Sequence, residues 1–256
     1  MKGICFFEPL FNATIEGRKT QTRRIIKPQP YYQNYPQHKG KRDLIFKDID
    51  GECWLSDENK KEIKPRYKKG EKVYLKEPYK LTRHIANLIG VELLYSECEI
   101  YFDILKYKSE KDAVEWVNKR LKEQKKSKSG YCNKLFMPEF CATNFIEITN
   151  VKCERLQEIS DEDCLKEGII MYEYSTSISS ANGEPFEDYY SVFCFGDDNS
   201  YNTPQSAYAA LIDKINGKGT WDSNPYVWVY DYRLVNESFD EILEDNKDIL
   251  KRLKDN

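Results

Sequence analysis

Alternation of apolar and polar residues is the clearest pattern along this chain. It is strongest over residues 143–155 (TNFIEITNVKCER), where it predicts a strand, because successive strand side chains point to opposite faces. Similar stretches predict four further strands, at Thr20 to Ile26, 70–78, 92–107 and 224–235. The stretch at 92–107 is also compatible with a hairpin.

Capping residues predict short helices between these strands. The predicted helices are one between Pro9 and Gly17, one that begins at Ser109, one from Ser160 to Gly168, and one from Thr203-Pro204 to Gly217. Apolar residues at helical spacing predict a further, amphipathic helix at 236–256.

The order of these elements is typical of an α+β fold. Strands at irregular intervals with short helices between them indicate a small, mostly antiparallel β-barrel with flanking helices. Three long insertions are predicted, at about 28–69, 108–132 and 172–202. Regular βαβ alternation is absent, and so are GxGxxG and GxxxxGK[ST], so no nucleotide cofactor is predicted.

Composition excludes several classes of protein. The chain has 256 residues, of which 40% are hydrophobic and 32% charged, and no apolar run is long enough to span a bilayer. The N-terminal residues lack the apolar stretch of a secretory signal, so we expect a cytoplasmic protein with no membrane partner. The eight cysteines form no CxxC pair and there are two histidines, so we expect free thiols and no metal site.

Charge is distributed unevenly, although the net charge is only −3. Residues 18–27 (RKTQTRRIIK) contain five cations and no anion, and residues 119–128 contain six cations and one anion. Such runs are often solvated faces, but they also bind phosphate groups. The segment 18–27 is therefore a candidate lining for a ligand-binding cleft.

Several motifs resemble the ASCH domain family, especially its longer members from phage and prophage genomes. The motifs are Glu16 to Arg24 (EGRKTQTRR), the strand from Gly70 to Glu77, Ile146 to Ile159, and Asn216 to Asp222 (NGKGTWD) before Trp228. They cover about half of the chain and occur in the family's order. The resemblance implies a PUA-like barrel over residues 1–235, followed by the helix at 236–256, in a bacterial or phage-infected cytoplasm.

The resemblance also implies a function, namely the binding of a nucleobase, a nucleoside or RNA. Small bacterial members of the family hydrolyse the acyl amide of N4-acetylcytidine with a lysine, a threonine and a glutamate. Carried over by motif, these catalytic roles fall on Lys19, Thr22 and Glu167. The further candidates for binding substrate or nucleic acid are Arg18, Arg23, Arg24, Lys27, Glu77 and Tyr79.

The three catalytic candidates form a chemically coherent set. A threonine hydroxyl needs a base, and Lys19 can act as one if burial and neighbouring cations keep its amine neutral. Glu167 lies at the end of a predicted helix, where negative charge is disfavoured, which suits a proton-transferring carboxyl group. In a regular strand, however, Lys19 and Thr22 point to opposite faces, so the chain must bend between them to bring both to one substrate.

Two other functions remain open. In the first, the chain is a non-catalytic RNA-binding module in which Arg18, Arg23, Arg24 and Lys27 contact phosphates. In the second, it is a phage accessory protein that binds an unidentified host protein through its tyrosine-rich insertions.

Overall fold

The computed structural model describes residues 1–30, 55–56, 62–85, 88–179, 185–196 and 199–235. The helix predicted at 236–256 lies outside the described residues, as do most of the insertion predicted at 28–69 and parts of the one at 172–202. The described chain has a mixed α+β fold with mostly antiparallel sheets and few helices, so the predicted fold class is confirmed at this level.

The regular elements follow one another in this order along the chain: β1 (Lys2–Cys5), α1 (Glu8–Ile15), β2 (Gln21–Ile25), β3 (Leu55–Ser56), β4 (Glu62–Ile63), β5 (Lys72–Lys76), β6 (Tyr79–Ile85), β7 (Leu88–Leu93), β8 (Cys98–Asp103), α2 (Glu110–Lys126), β9 (Phe145–Arg155), α3 (Asp161–Lys166), β10 (Ile170–Ser179), β11 (Pro185–Cys194), α4 (Pro204–Asn216), α5 (Thr220–Ser223) and β12 (Tyr226–Val235). Short 3₁₀ turns are formed by Ile104–Lys106, Lys134–Phe136, Glu139–Cys141 and Leu156–Glu158.

The chain divides into two compact units. Unit 1 contains Met1–Ile15, Lys72–Glu147 and the described residues 233–235. Its strand β1 pairs in parallel with β5, which pairs antiparallel with the first residues of β9. Strands β6, β7 and β8 form a separate antiparallel sheet. Aliphatic and aromatic residues of this sheet pack with α2 into a hydrophobic core that includes Tyr79 and Val117.

Unit 2 contains Glu16–Glu71 and Ile148–Tyr232. Its main sheet has the order β9-β12-β2, and β12 and β2 are antiparallel with Tyr230 opposite Thr22. Strands β10 and β11 form a two-stranded antiparallel sheet, and so do β3 and β4. Helices α3, α4 and α5 complete the unit, with α3 in contact with both β2 and α4.

Local capping signals explain where the helices begin. The hydroxyl groups of Ser109, Ser160 and Thr203 each accept a hydrogen bond from a backbone N–H in the first turn of α2, α3 and α4. These helix starts are confirmed as predicted. Gly17, which ends the turn after α1, has a φ of +74° that other residues rarely adopt.

The expected closed barrel is not found among the described residues. Each sheet there is open, because its first and last strands each have a single strand neighbour. Within the same residues, no helix combines the length and the apolar character needed to cross a membrane.

Candidate functional site

Main-chain hydrogen bonds within unit 2 fix the residues that precede β2. The N–H of Thr20 donates to the carbonyl oxygen of Lys166 over 2.9 Å, and the carbonyl oxygen of Thr20 accepts from the N–H of Tyr232 over 2.8 Å. The chain is thus held between the end of α3 and strand β12. Regular strand structure begins only at Gln21, so Lys19 lies outside the strand.

Lys19 is buried against the end of α3. Its Nζ donates to the carbonyl oxygens of Gln21 at 2.7 Å and Glu167 at 2.8 Å, and to Oε2 of Glu167 at 2.6 Å. The side chains of Lys19 and Glu167 are 0% and 5% exposed. An ammonium group has three N–H donors, so every donor of Lys19 has a protein acceptor.

Burial determines the proton affinity of Lys19. It lowers the pKa of Lys19 below the ordinary value of 10.5, against the opposing charge and hydrogen bond of Glu167. The nearby charges of Arg24 and Arg23 lower the pKa further. The buried pair therefore holds its lysine proton less firmly than a lysine in water does.

Arg23 is the second buried cation of the site, and its side chain is also 0% exposed. It donates to Oε1 of Glu154 from Nη2 at 2.6 Å and from Nε at 2.9 Å. Nη2 also contacts Oδ2 of Asp163 at 3.1 Å, and Nη1 contacts Oε1 of Glu167 at 3.2 Å. A further hydrogen bond joins Nη1 to the side-chain oxygen of Gln21. One guanidinium group therefore binds three carboxylates.

Glu167 connects the two buried cations. Its Oε2 faces Lys19, and its Oε1 faces Arg23 and also accepts a hydrogen bond from the hydroxyl of Tyr208 at 3.5 Å. Burial raises the pKa of Tyr208, so this hydroxyl remains a proton donor well above its ordinary titration range. We call Lys19, Arg23, Glu154, Asp163, Glu167 and Tyr208 the buried ion network.

The outer side of this network is partly exposed to solvent. The Nζ of Lys152, whose side chain is 44% exposed, lies 2.9 Å from Oε2 of Glu154 and 3.6 Å from Oδ2 of Asp163. Burial alone would raise the pKa of Asp163, but the charge and hydrogen bond of Arg23, with help from Lys152, hold it below its ordinary 3.8. Asp163 therefore stays charged beside Arg23 at neutral pH.

Thr22 is buried but faces away from this network. The side chains of Gln21 and Arg23 lie on one face of β2, so alternation directs Thr22 to the other face, where Tyr230 is its partner on β12. The ring of Tyr230 packs edge-on against Tyr67 there, with 5.3 Å between centroids. The structure thus brings Lys19 and Glu167 together but does not place Thr22 beside them.

The other cations of segment 18–27 differ in exposure. The side chain of Arg18 is 43% exposed and pairs with Glu16, Lys27 is exposed, and Arg24 is half-buried. Arg18 and Lys27 are thus the cations of this segment that a phosphate group could reach most directly. Arg23 is buried and donates to three carboxylates and to the side-chain oxygen of Gln21.

Two predicted binding residues belong to unit 1 and are buried there. Glu77 accepts hydrogen bonds from the N–H groups of Tyr95 at 2.6 Å and Ser96 at 2.7 Å, and burial raises its pKa. Tyr79 is 0% exposed, and its hydroxyl donates to the carbonyl oxygen of Phe136 at 3.2 Å. Its ring lies inside the hydrophobic core, so it has no exposed face on which a base could stack.

Comparison with protein-family models, with curated proteins and with solved structures found no match. The described residues contain no group of three or more histidine, cysteine or acidic side chains that could hold a metal ion. Within the same ranges, no disulfide joins two of the cysteines. The chemistry of the site must therefore be inferred from the buried ion network itself.

Proposed function

We propose that this protein is an ASCH-type protein that binds a nucleoside and hydrolyses the acyl amide of an N4-acylated cytidine. Lys19 and Glu167 form the proton-transferring pair in this proposal. The main support for the proposal is the contact of 2.6 Å between Nζ of Lys19 and Oε2 of Glu167. Both side chains are buried from solvent. The two residues are 148 positions apart, and the ASCH resemblance had assigned both to one reaction on motifs alone.

The pair can supply both proton steps of amide hydrolysis. One proton shared across the contact makes either an ammonium with a carboxylate or a neutral amine with a carboxylic acid. From the neutral form, Lys19 takes a proton from the attacking hydroxyl or water, and Glu167 gives its proton to N4 as the bond between N4 and the acyl carbon breaks. With water as the attacking group, the products are cytidine and a carboxylic acid, and proton transfer within the pair restores the starting state. With the Thr22 hydroxyl as the attacking group, the acyl chain is left as an ester on Thr22, and a water molecule activated by Lys19 must hydrolyse that ester in a second step to release the carboxylic acid.

Substrate binding has to change the contacts of this pair. Because each donor of Lys19 already has an acceptor, a bound substrate must replace at least one of them, such as the carbonyl oxygen of Gln21. Thr22 can act as nucleophile only if β2 turns it towards Lys19, whereas water needs no such change. Replacement of Thr22 by valine, which removes only the hydroxyl function, separates the two routes: retained turnover assigns the attack to water.

The test is a panel of N4-acylated and unmodified nucleosides, with cytidine release followed by mass spectrometry. We expect the wild-type protein to deacylate N4-acetylcytidine and Lys19→Met to lose at least about a hundredfold in rate, the range for loss of an acid–base group. Lys111→Met, at an exposed position of α2, is the matched control and should keep the wild-type rate. Absence of any deacylation by the wild-type protein, or full activity of a folded Lys19→Met variant, refutes the proposal.

A second candidate function is RNA binding without catalysis. It is favoured by the complete hydrogen bonding of Lys19 and by the exposure of Arg18 and Lys27. In that case RNA affinity should fall steeply with salt, and Arg18→Ala with Lys27→Ala should reduce the slope by about two counterions. Binding that is undetectable or independent of salt excludes this function.

A further inference from the structure

Strands β10 and β11 form a ribbon, which we define as Ile170–Ser179 with Pro185–Cys194. Their register pairs Ile170 with Cys194 and Ser179 with Pro185, and no other described strand joins them in a sheet. An isolated two-stranded ribbon is marginally stable in water, since a third strand or a packed face is normally needed. A ribbon of this length is therefore suited to gaining stability from a partner.

The base of the ribbon is anchored within unit 2. Phe193 is buried, and its main chain exchanges two hydrogen bonds of 2.9 Å with Tyr201. The ring of Tyr201 stacks on Phe195, with 5.9 Å between centroids. Packing therefore fixes the position of the two strands at this end. Side chains on the adjoining residues of the ribbon are held in a defined place as a result.

Three tyrosines next to this anchor share one exposed face. Tyr172, Tyr174 and Tyr190 are each 47% exposed. Tyr174 lies opposite Tyr190 in the register, and Tyr172 is two residues along the same strand, so alternation places all three on one face. The rings of Tyr174 and Tyr190 stack with 5.5 Å between centroids and 20° between planes. We call these three residues the tyrosine face.

The charge of the surrounding chain indicates what this face can bind. Residues 168–213 contain seven aspartates and glutamates and no lysine, arginine or histidine, although the whole chain has 40 lysines and arginines. Tyrosine rings attract cations over their faces, and arginine guanidinium groups stack on them most readily. The local acidic charge adds a long-range attraction for the same groups.

We propose that the tyrosine face docks an extended, arginine- or lysine-rich segment of a partner protein. Single-stranded nucleic acid also uses exposed aromatic rings on strands, but it requires several cations to neutralise its phosphates. Residues 168–213 contain none, and Lys214, whose Nζ lies 5.2 Å from the ring centroid of Phe195, adds one cation beside the anchor. The partner site is separate from the buried ion network and does not depend on the proposed hydrolysis. It gives the tyrosine-rich insertion a function of its own.

Fluorescence anisotropy with the full chain tests this surface, with labelled hepta-arginine as the probe and hepta-glutamate and oligouridine as comparisons. We expect binding of hepta-arginine alone. The double variant Tyr174→Phe and Tyr190→Phe keeps the aromatic rings and should bind as the wild type does. The variant with leucine at both positions keeps apolar bulk without aromatic rings and should bind about tenfold more weakly.

Two controls make the outcome decisive. Tyr107→Leu replaces a tyrosine of similar exposure, 51%, in unit 1 and should leave hepta-arginine affinity unchanged. If the double leucine variant is destabilised, as judged by its thermal midpoint, the single variant Tyr172→Leu replaces it and should still weaken binding. Equal affinity of a folded leucine variant overturns the proposal. So does ring-dependent binding of oligouridine, or ring-dependent self-association in sedimentation velocity, since each identifies a different occupant.

Discussion

Replacing Glu167 by glutamine tests how much the buried ion network contributes to the free energy of unfolding. Removal of one partner from a buried ion pair typically destabilises a protein by about 3–5 kcal/mol, because the remaining charge is left uncompensated. Arg23 would keep Glu154 and Asp163, whereas Lys19 would keep two main-chain carbonyl oxygens and would face a neutral amide in place of the carboxylate. We therefore expect the lower end of the range, about 3 kcal/mol.

The double variant distinguishes a real pair from two independent buried groups. Lys19→Met alone should destabilise less than Glu167→Gln, because Glu167 keeps Arg23 and Tyr208 as partners. Combining the two replacements removes the stranded charge, so the double variant should be more stable than the sum of the single effects predicts. The expected coupling is about 2 kcal/mol, within the range for residues in direct contact.

Urea denaturation followed by circular dichroism measures these free energies of unfolding. The urea midpoint reports the change in stability, and an unchanged dependence of the free energy on urea concentration shows that the folded and unfolded states are as compact as before. Glu162→Gln serves as the matched control, because Glu162 is an exposed acid that pairs with Lys166 on the surface of α3. Its effect should be within about 0.5 kcal/mol. Two results would contradict the reasoning. One is a destabilisation by Glu167→Gln of less than about 1 kcal/mol, which is far below the range for breaking a buried pair. The other is strict additivity of the two single effects in the double variant.

Two further predictions follow from titration and from hydrogen bonding. Because the pKa of Lys19 is lowered from 10.5 in the folded state, the unfolded state binds that proton more tightly, and the free energy of unfolding should rise as pH increases towards 10.5. In urea titrations across alkaline pH, the free energy of unfolding of Lys19→Met should lack this rise. If the free energies of the variant and the wild type changed in parallel with pH, the lowered pKa of Lys19 would be disproved. In unit 1, Glu77→Ala leaves the N–H groups of Tyr95 and Ser96 without their acceptor and should cost about 2 kcal/mol in urea unfolding. Glu77→Gln, which keeps one acceptor oxygen, should cost less, and equal losses would point to packing instead.

Local signals in the sequence predict helix ends well. Ser109, Ser160 and Thr203 each start a helix because a hydroxyl oxygen can satisfy a main-chain N–H a few residues ahead, whatever the rest of the fold does. The strand over 143–155 can be predicted equally well, because alternation is a local property of the sequence. In the structure, β9 extends over most of that stretch. Such features require no knowledge of distant residues.

The role of Arg23 could not be predicted in the same way. Its carboxylate partners Glu154 and Asp163 are 131 and 140 positions away, and nothing in the cationic run identifies which of its members turns inward. Alternation offered a partial signal, because Gln21 and Arg23 share a face that excludes Thr22. The charge of the run and the ASCH resemblance predict a binding role for Arg23, and neither indicates that it is buried.

Strands β10 and β11 also have a local signal in the sequence. The dipeptide Asn-Gly at 182–183 is typical of hairpin turns in a sequence, and alternating residues such as Tyr172, Glu173 and Tyr174 precede it. The polar composition of the predicted insertion at 172–202 does not distinguish paired strands from an irregular loop. Composition alone does not reveal a ribbon that exposes Tyr172, Tyr174 and Tyr190.

The long separation of the partners in the buried ion network also affects how the chain emerges from the ribosome. Lys19 is synthesised 148 residues before Glu167, so its ammonium and the guanidinium of Arg23 stay hydrated until translation has supplied α3. Contacts between such distant segments form slowly, since a large loop must close first. Unit 2 therefore cannot complete its interior during translation before α3 has been synthesised, and the nascent chain exposes this cationic segment to the cell until then.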